Sequence, residues 1–404
     1  MAKLDEWIID RAMKPLGQVA IFGILTLNIL AIGADTHLPA FRAVEIDAKI
    51  QIGYGIAVAD VDGDNKPDIL LADKKQIVWY RNPNWEKFVI AEDLTKLDNV
   101  CIAAADINAD GIAEVAVGAG WNPADTTASG AVFYLIPPKD RTQKWEAVEL
   151  QHEPTVHRMK WVRNGLGKFE LMVAPLHGRG NKDGEGEGVK ILMYEMPSNP
   201  RDPWTTKVLN DSWHMTHNFD VERSEESSDG LLIASREGVF KRPNEKAAWK
   251  QIAGKSNPGF QGAGEVRAGK LSKAFVATIE PMHGNQVVVY TSFSQNTENS
   301  VSKRQVLDDS LKEGHALACG DLLGTGFDQI VVGWRGKDSL GKTGIKIFTA
   351  LDPQGTSWRI MTIDDNGIAC EDMCLADLNG DGKLDIVASG RATKNVKIYF
   401  NERK

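Results

Sequence analysis

One unit recurs along this chain: an apolar strand, an aspartate-rich turn and a second apolar strand. Its plainest copies are AVADVDGDNKPDILLAD from Ala57, AAADINADGIAEVAVGAG from Ala103 and CLADLNGDGKLDIVASG from Cys374. Anchored on the first turn residue, seven copies begin their turns at Asp60, Asp106, Arg163, Asp220, Gly269, Asp321 and Asp377. The spacings run from 46 to 57 residues, the length of a four-stranded propeller blade. Third strands read QIVWYRN, VFYLIP, VKILMYEM, VVVYTS and IKIFTA. Fourth strands are introduced by Trp85, Trp145, Trp204, Trp249 and Trp358. The seventh unit stops after VKIYF, and Arg42 to Asp47 stands ready to supply its missing strand. Such closure leaves no exposed sheet edge. The expectation is an all-β fold over residues 35–404, a seven-bladed β-propeller of four-stranded antiparallel blades closed by the N-terminal strand.

A chain of 404 residues would ordinarily suggest two or three domains, but the repeat overrides that prior. The net charge of −8 without a basic run argues against nucleic acid as a partner. Cysteines 101, 319, 370 and 374 have neither zinc-knuckle nor thioredoxin spacing. They read as small buried strand residues, with a disulfide open in an oxidising compartment. Leu16 to Ile32 is almost wholly apolar, and Ala31-Ile32-Gly33 is a small-x-small cleavage pattern. Residues 1–34 are therefore expected to be a signal peptide or N-terminal anchor, with Met13 as an alternative start. The expected destination is periplasmic or extracellular, without membrane contact after cleavage. Oligomeric state is not legible.

Asp60, Asp62, Asp64 and Asp68 alternate as an oxygen-rich calcium loop requires, with Gly63 easing the turn. Asp377, Asn379, Asp381 and Asp385 repeat the pattern, and Asp106, Asn108, Asp110 and Glu114 form a third copy. A hard cation takes six to eight oxygens, and every second side chain points inward. These motifs resemble the FG-GAP and VCBS repeat families, which implies structural calcium bracing the blades.

At the opposite end, hairpin symmetry about each turn pairs position −6 with position +14. That predicts Tyr54 opposite Lys74, His157 opposite His177, His214 opposite Arg236, Ala263 opposite His283, His315 opposite Arg335 and Glu371 opposite Arg391. Only Val100 and Gly120 are inert. Six of the eight histidines thus gather at one rim, with His217 out of register. The long loops Trp121–Gly130, Gly178–Gly188 and Gly336–Gly344 belong to the same rim, and the second is a candidate lid.

Clustered histidine can hold zinc with an open position, here from His157, His214, His217, His315 and Glu371. It can also supply a general base near neutral pH, with His157, His177, His214, His283 and His315 as candidates. Arg236, Arg335 and Arg391 can hold a carboxylate or stabilise an enolate, while Tyr54, Lys74, Glu280 and Asp372 stand nearby. The set suits proton abstraction beside a carbonyl followed by loss of a leaving group. The strings TVHRMKW, APLHGRGN, TIEPMHGNQVVVYT and EGHALACGDLLGTG resemble the propeller domain of aldos-2-ulose dehydratases over most of residues 150–345. The resemblance implies removal of water from a keto-sugar such as anhydrofructose, or a 3-keto-glycoside. It implies a sugar site at His157, His177, His283 and His315, with Glu280 and Arg335 beside them. Larger relatives carry cupin domains linked to isomerisation; these have no room here, so the resemblance does not extend to that step. A uronate polysaccharide lyase and a non-catalytic sugar- or protein-binding propeller are the competing readings.

Overall fold

The structure, a computed structural model, describes residues 39–225, 228–291 and 302–403. The expected leader therefore lies outside the described residues.

The first strand, β1 (Phe41–Asp47), pairs antiparallel with the last, β28 (Asn395–Asn401), with Val44 opposite Ile398. Between them run six complete blades. The first holds β2 (Gly55–Ala59), β3 (Asp68–Ala72), β4 (Gln76–Arg81) and β5 (Glu86–Glu92); the second holds β6 (Cys101–Ala105), β7 (Glu114–Ala119), β8 (Ala131–Ile136) and β9 (Glu146–Leu150). The third holds β10 (Val156–Arg163), β11 (Phe169–Pro175), β12 (Ile191–Glu195) and β13 (Thr205–Asn210); the fourth holds β14 (Thr216–Glu222), β15 (Gly230–Ser235), β16 (Gly238–Arg242) and β17 (Lys250–Gly254). The fifth holds β18 (Glu265–Lys270), β19 (Ala274–Glu280), β20 (Gln286–Thr291) and β21 (Lys303–Asp308); the sixth holds β22 (Gly314–Gly320), β23 (Gln329–Trp334), β24 (Gly344–Ala350) and β25 (Trp358–Asp365). The seventh blade takes β26 (Cys370–Ala376), β27 (Asp385–Gly390) and β28 from the C-terminus and β1 from the N-terminus. The structure is thus the expected seven-bladed propeller, closed as the sequence implied.

Strand composition follows radial position. Middle strands such as DILLA and IVVGW are buried on both faces, because each blade stacks between two others. Outer strands are more exposed, as in EKFVIAE, where Glu86, Lys87 and Glu92 face solvent and only Ile90 and Ala91 are buried. The core is a set of blade interfaces. One cluster joins Leu70 and Trp79 of the first blade to Val115 and Phe133 of the second, and Trp145 closes it from the start of β9. Trp204, at the start of β13, does the same between the second and third blades. The four cysteines are free, and Cys101 and Cys370 are buried in inner strands.

The inner strands depart from the sequence expectation in one respect. In the third, fourth, sixth and seventh blades the first two strands slip register once. Val156 faces Pro175 and Arg158 faces Ala174, leaving His157 without an opposite. The same slip falls at His217, His315 and Glu371. The pairing of −6 with +14 is corrected here: bulges break the ladder in these four blades, and in the first and fifth the unbroken ladder runs one and two positions short of it, with Gly55 opposite Ala72 and Glu265 opposite Ile279. A bulge adds one residue, re-aims its side chain and lets two successive residues face the same way.

Candidate functional site

The bulges assemble the site. His157, His217, His315 and Glu371 come from four inner strands, and each is at most 4% exposed. Each histidine is held by the backbone of the next blade. His157 Nδ1 lies 2.8 Å from His217 O, His217 Nδ1 3.1 Å from Gly264 O, and His315 Nδ1 2.6 Å from Glu371 O. A carbonyl can only accept, so each Nδ1 donates and each Nε2 keeps its lone pair. His283 joins from the turn between β19 and β20, where its backbone sits at φ 51°. Its Nε2 is 2.8 Å from that of His217. Ligand nitrogens of His217, His283 and His315 all lie within 4.8 Å of one another. Tetrahedral zinc with bonds near ~2.0–2.1 Å needs three such nitrogens facing one point, and this donor set fits. A carboxylate backs the central member: Glu265 Oε1 is 3.1 Å from His217 Nδ1, and its other oxygen accepts from Asn218 Nδ2 at 2.7 Å.

The cluster is electrostatically hostile to protons. Burial holds His157, His217 and His315 far below the ordinary imidazole range; Arg158 adds repulsion at the first two and Arg335 at the third. Burial and then His217 push His283 down to about 2. Neutral imidazole is the form that ligates a metal or takes a proton. His157 differs from the trio, since Arg158 Nη1 lies 3.1 Å from its Nε2. Its ring stacks on Trp121 at 4.9 Å between centroids.

Several sequence expectations move. His217, expected among the zinc ligands but out of register and left out of the candidate bases, is the bulged residue at the centre. His214 stands outside the cluster, with its Nδ1 and backbone N–H both on Glu237 Oε1. It is removed from the expected zinc ligands, and His283 takes a place there. Glu371 is no ligand either, because Arg335 Nη1 at 2.8 and 2.9 Å and Arg391 Nη1 at 2.9 Å close on its carboxylate. Glu280 is consumed elsewhere, between Arg304 at 2.7 Å, Tyr290 Oη at 2.7 Å and Thr278 Oγ1 at 2.8 Å. Arg236 Nη1 donates to Asp183 O. It thereby helps pin the Gly178–Gly188 loop, as Asn181 Nδ2 does by reaching Glu187 O and His214 O. That loop is fastened rather than loose. His177 follows β11, bridged through its backbone to Met215, and its buried Nδ1 has no partner. Tyr54 Oη donates to Asp98 at 3.2 Å, under the Arg391 guanidinium. Lys74 contributes its backbone carbonyl to Asn99 N. Asp372 lies in the channel wall, accepting from Ile56 N and Met373 N.

Sequence reasoning missed the charged residues of the inner strands: Arg158 and Lys160 on β10, Asp220 on β14, Glu265 and Arg267 on β18. The signal was present, because charges at every second position of an otherwise apolar strand mark the face turned to the axis.

The acidic turns occupy the other rim. In the first, carboxylates of Asp60, Asp62 and Asp68 come within 4.8 Å of one another, and Asp62 Oδ1 is buried without a partner. Burial and then the charges of Asp62 and Asp60 push Asp68 up to about 7, against two backbone donors. This set fits a cation, although Arg81 already holds Asp62 at 2.8 Å and Asp64 turns to Lys66 at 2.7 Å. In the second turn the Asn108 amide donates to Glu114 at 2.9 Å and to Asp110 at 3.2 Å. In the last, Asp377 accepts from Gly380, Asp381 and Gly382, Asn379 Oδ1 accepts from Asp381 N, and Asp385 accepts from Leu378 and Asn401. Among the described residues, neither of these two turns gathers three carboxylates.

Residues 129–293 match the family described as aldos-2-ulose dehydratase, beta-propeller domain. Residues 55–117 and 102–135 match FG-GAP-type repeats. No curated protein sequence matches the chain. Among solved structures, BBS1N from its complex with ARL6DN superposes with a TM-score of 0.56 at 13% identity, covering 91% of this chain and 97% of that one. A chain of the mitotic checkpoint complex gives 0.55 at 11% identity, covering 98% and 99%. At such identities the likeness extends to the fold alone. The family match spans His157, His177, His214, His217 and His283, so the part of the rim built by residues 129–293 is similar to the aldos-2-ulose dehydratase propeller domain, and the blades before it, over residues 55–135, are similar to FG-GAP repeats.

Proposed function

We propose that this chain is an exported carbohydrate-active lyase that removes water from a keto-sugar by β-elimination. The observation that carries the reading is the convergence of His217, His283 and His315, whose ligand nitrogens lie within 4.8 Å. Zinc held there would supply a Lewis acid for the ketone oxygen. The protein's own groups do the rest. Backbone carbonyls orient the imidazoles, and burial keeps them unprotonated. His157 serves as base once the bound sugar draws Arg158 Nη1 off its Nε2, and that nitrogen then takes the proton from the carbon next to the ketone. The electron pair left behind forms the carbon–carbon double bond as the hydroxyl on the following carbon leaves, protonated, as water. Arg158 beside His157 favours return of that proton to the leaving oxygen. Trp121 offers the sugar ring an apolar wall.

A uronate lyase is less well supported, because Arg335 and Arg391 both close on Glu371 and neither guanidinium is left for a carboxylate. Structural calcium at Asp60, Asp62 and Asp68 is part of the proposal, as is export of the chain. The test is absorbance of a conjugated enone from 1,5-anhydrofructose and 3-keto-glucosides, with zinc supplied. Turnover is expected, and it should vanish in His157→Ala and His315→Ala variants that retain native circular dichroism. Silence on every keto-sugar, or unchanged rates in either variant, would overturn the assignment. Saturable binding of the sugars without turnover would favour a binding propeller.

A further inference from the structure

Beside the histidines lies a chamber of about 240 Å³ that shares Arg158 with the elimination site and whose other charged groups the elimination does not use. Its wall includes Arg158, Lys160, Arg223, Arg267, Asp372 and Asn218. All but Arg223, which follows β14, lie on inner strands, where the period-two pleat turns Arg158 and Lys160 to the axis while Met159 and Trp161 pack between blades. Lys160 is one-third exposed although inner strands encircle it, so the chamber holds solvent. Arg223 is half exposed at the end of β14, so the opening faces the rim of acidic turns, away from His283.

The charge on the wall is unbalanced. Four cations reach it against one carboxylate, Asp372, whose oxygens already accept backbone N–H groups. Asp220 and Glu265, the counter-charges of Lys160 and Arg267, are not part of the wall and pair loosely, at 3.5 and 3.7 Å. Arg223 is committed to Asp229. Arg158 is 8% exposed, has no carboxylate within 4.0 Å among the described residues, and its Nε lacks any partner. Burying a guanidinium with no carboxylate beside it is costly unless something of opposite charge meets it.

We propose that this chamber is a second ligand site, for a small hydroxylated carboxylate of sugar-acid type. The carboxylate lies against Arg158, Lys160 and Arg267 through charge-assisted hydrogen bonds. Asp372 and the Asn218 amide meet its hydroxyls. The volume falls below the ~300–1,000 Å³ of drug-sized sites, which limits the ligand to a single sugar unit. Burial and then the nearby Arg267 hold Lys160 below its ordinary value, a repulsion that a bound anion relieves.

Calorimetric titration of the full chain with D-gluconate tests the site, with D-glucose and inorganic phosphate as parallel probes. Gluconate should bind saturably and glucose should not. Lys160→Gln should weaken gluconate about tenfold, Lys160→Arg should restore it, and His315→Ala should leave it unchanged. The proposal is overturned by absence of gluconate binding, by equal binding of glucose, by tighter binding of phosphate, or by loss of gluconate in His315→Ala with Lys160→Gln unaffected. Failure of gluconate binding leaves the keto-sugar reading standing, because that reading rests on the histidines and is read by enone absorbance, while Arg158, which borders both sites, is varied in neither test.

Discussion

His157 offers the sharpest physical test of the site. Its ring is 4% exposed, donates Nδ1–H to His217 O and faces Arg158 through Nε2. Burial and then Arg158 keep it neutral in the folded protein far below the usual imidazole range. An unfolded histidine takes a proton near pH ~6.5. Between that value and its much lower folded one, the unfolded state binds one proton more than the native state. Stability therefore rises with pH through this window: the contribution of neutral His157 is complete above about pH 6.5 and is lost as pH falls. The slope approaches about 1.4 kcal/mol per pH unit wherever the unfolded imidazole is protonated and the buried one is not. His157→Gln removes the titration while retaining an amide donor for His217 O. Urea unfolding in chelator at pH 7.5 and 4.5 should show the variant losing less stability than the native chain across that interval, by an amount on the order of 1 kcal/mol or more. Any fixed cost of the substitution cancels in the difference. Parallel losses in the two proteins would refute a buried, neutral His157.

Two further outcomes follow from the same geometry. Glu371→Gln leaves Arg335 and Arg391 facing a neutral amide; with Arg391 partly exposed, the cost should be about 2–3 kcal/mol, a fall of roughly 3 °C in Tm for a unit of this size, and an unchanged Tm by scanning calorimetry would contradict the clamp. Glu265→Gln removes the carboxylate behind His217 and should lower zinc affinity about 10–100-fold in chelator competition without altering the far-ultraviolet spectrum; equal affinity would mean that Gly264 O alone orients the ring.

The blades were legible because their signal is local and repeated. Asp60, Asp106 and Asp377 mark tight turns, Trp145 and Trp204 mark entry into outer strands, and each recurs at blade spacing. Closure was legible from one missing strand and one spare one. The address of the histidines was legible only to the nearest few residues. His157, His283 and His315 were placed at the right rim, but His214 was preferred to His217 because an unbroken ladder puts position 214 opposite Arg236. A bulge costs the ladder one pairing, and nothing in THNFDVE announces it, since the reason for it lies across the channel, where the next blade offers Gly264 O to the His217 ring. Glu280 failed for a similar reason: its partners Arg304 and Tyr290 arrive from β21 and β20, and only packing shows that they leave it no lone pair to spare.

The sequence by itself determined the architecture, because seven copies of one turn-and-strand pattern admit few other arrangements. It also determined that histidine and charge concentrate on inner strands. The tertiary structure decided which of these side chains meet. Side chains from different blades approach one another only after ring closure. Bulges, absent from the periodic pattern, then choose which of two successive residues faces the axis. That choice makes His217 the hub of one site and leaves Arg158 and Lys160 to line another.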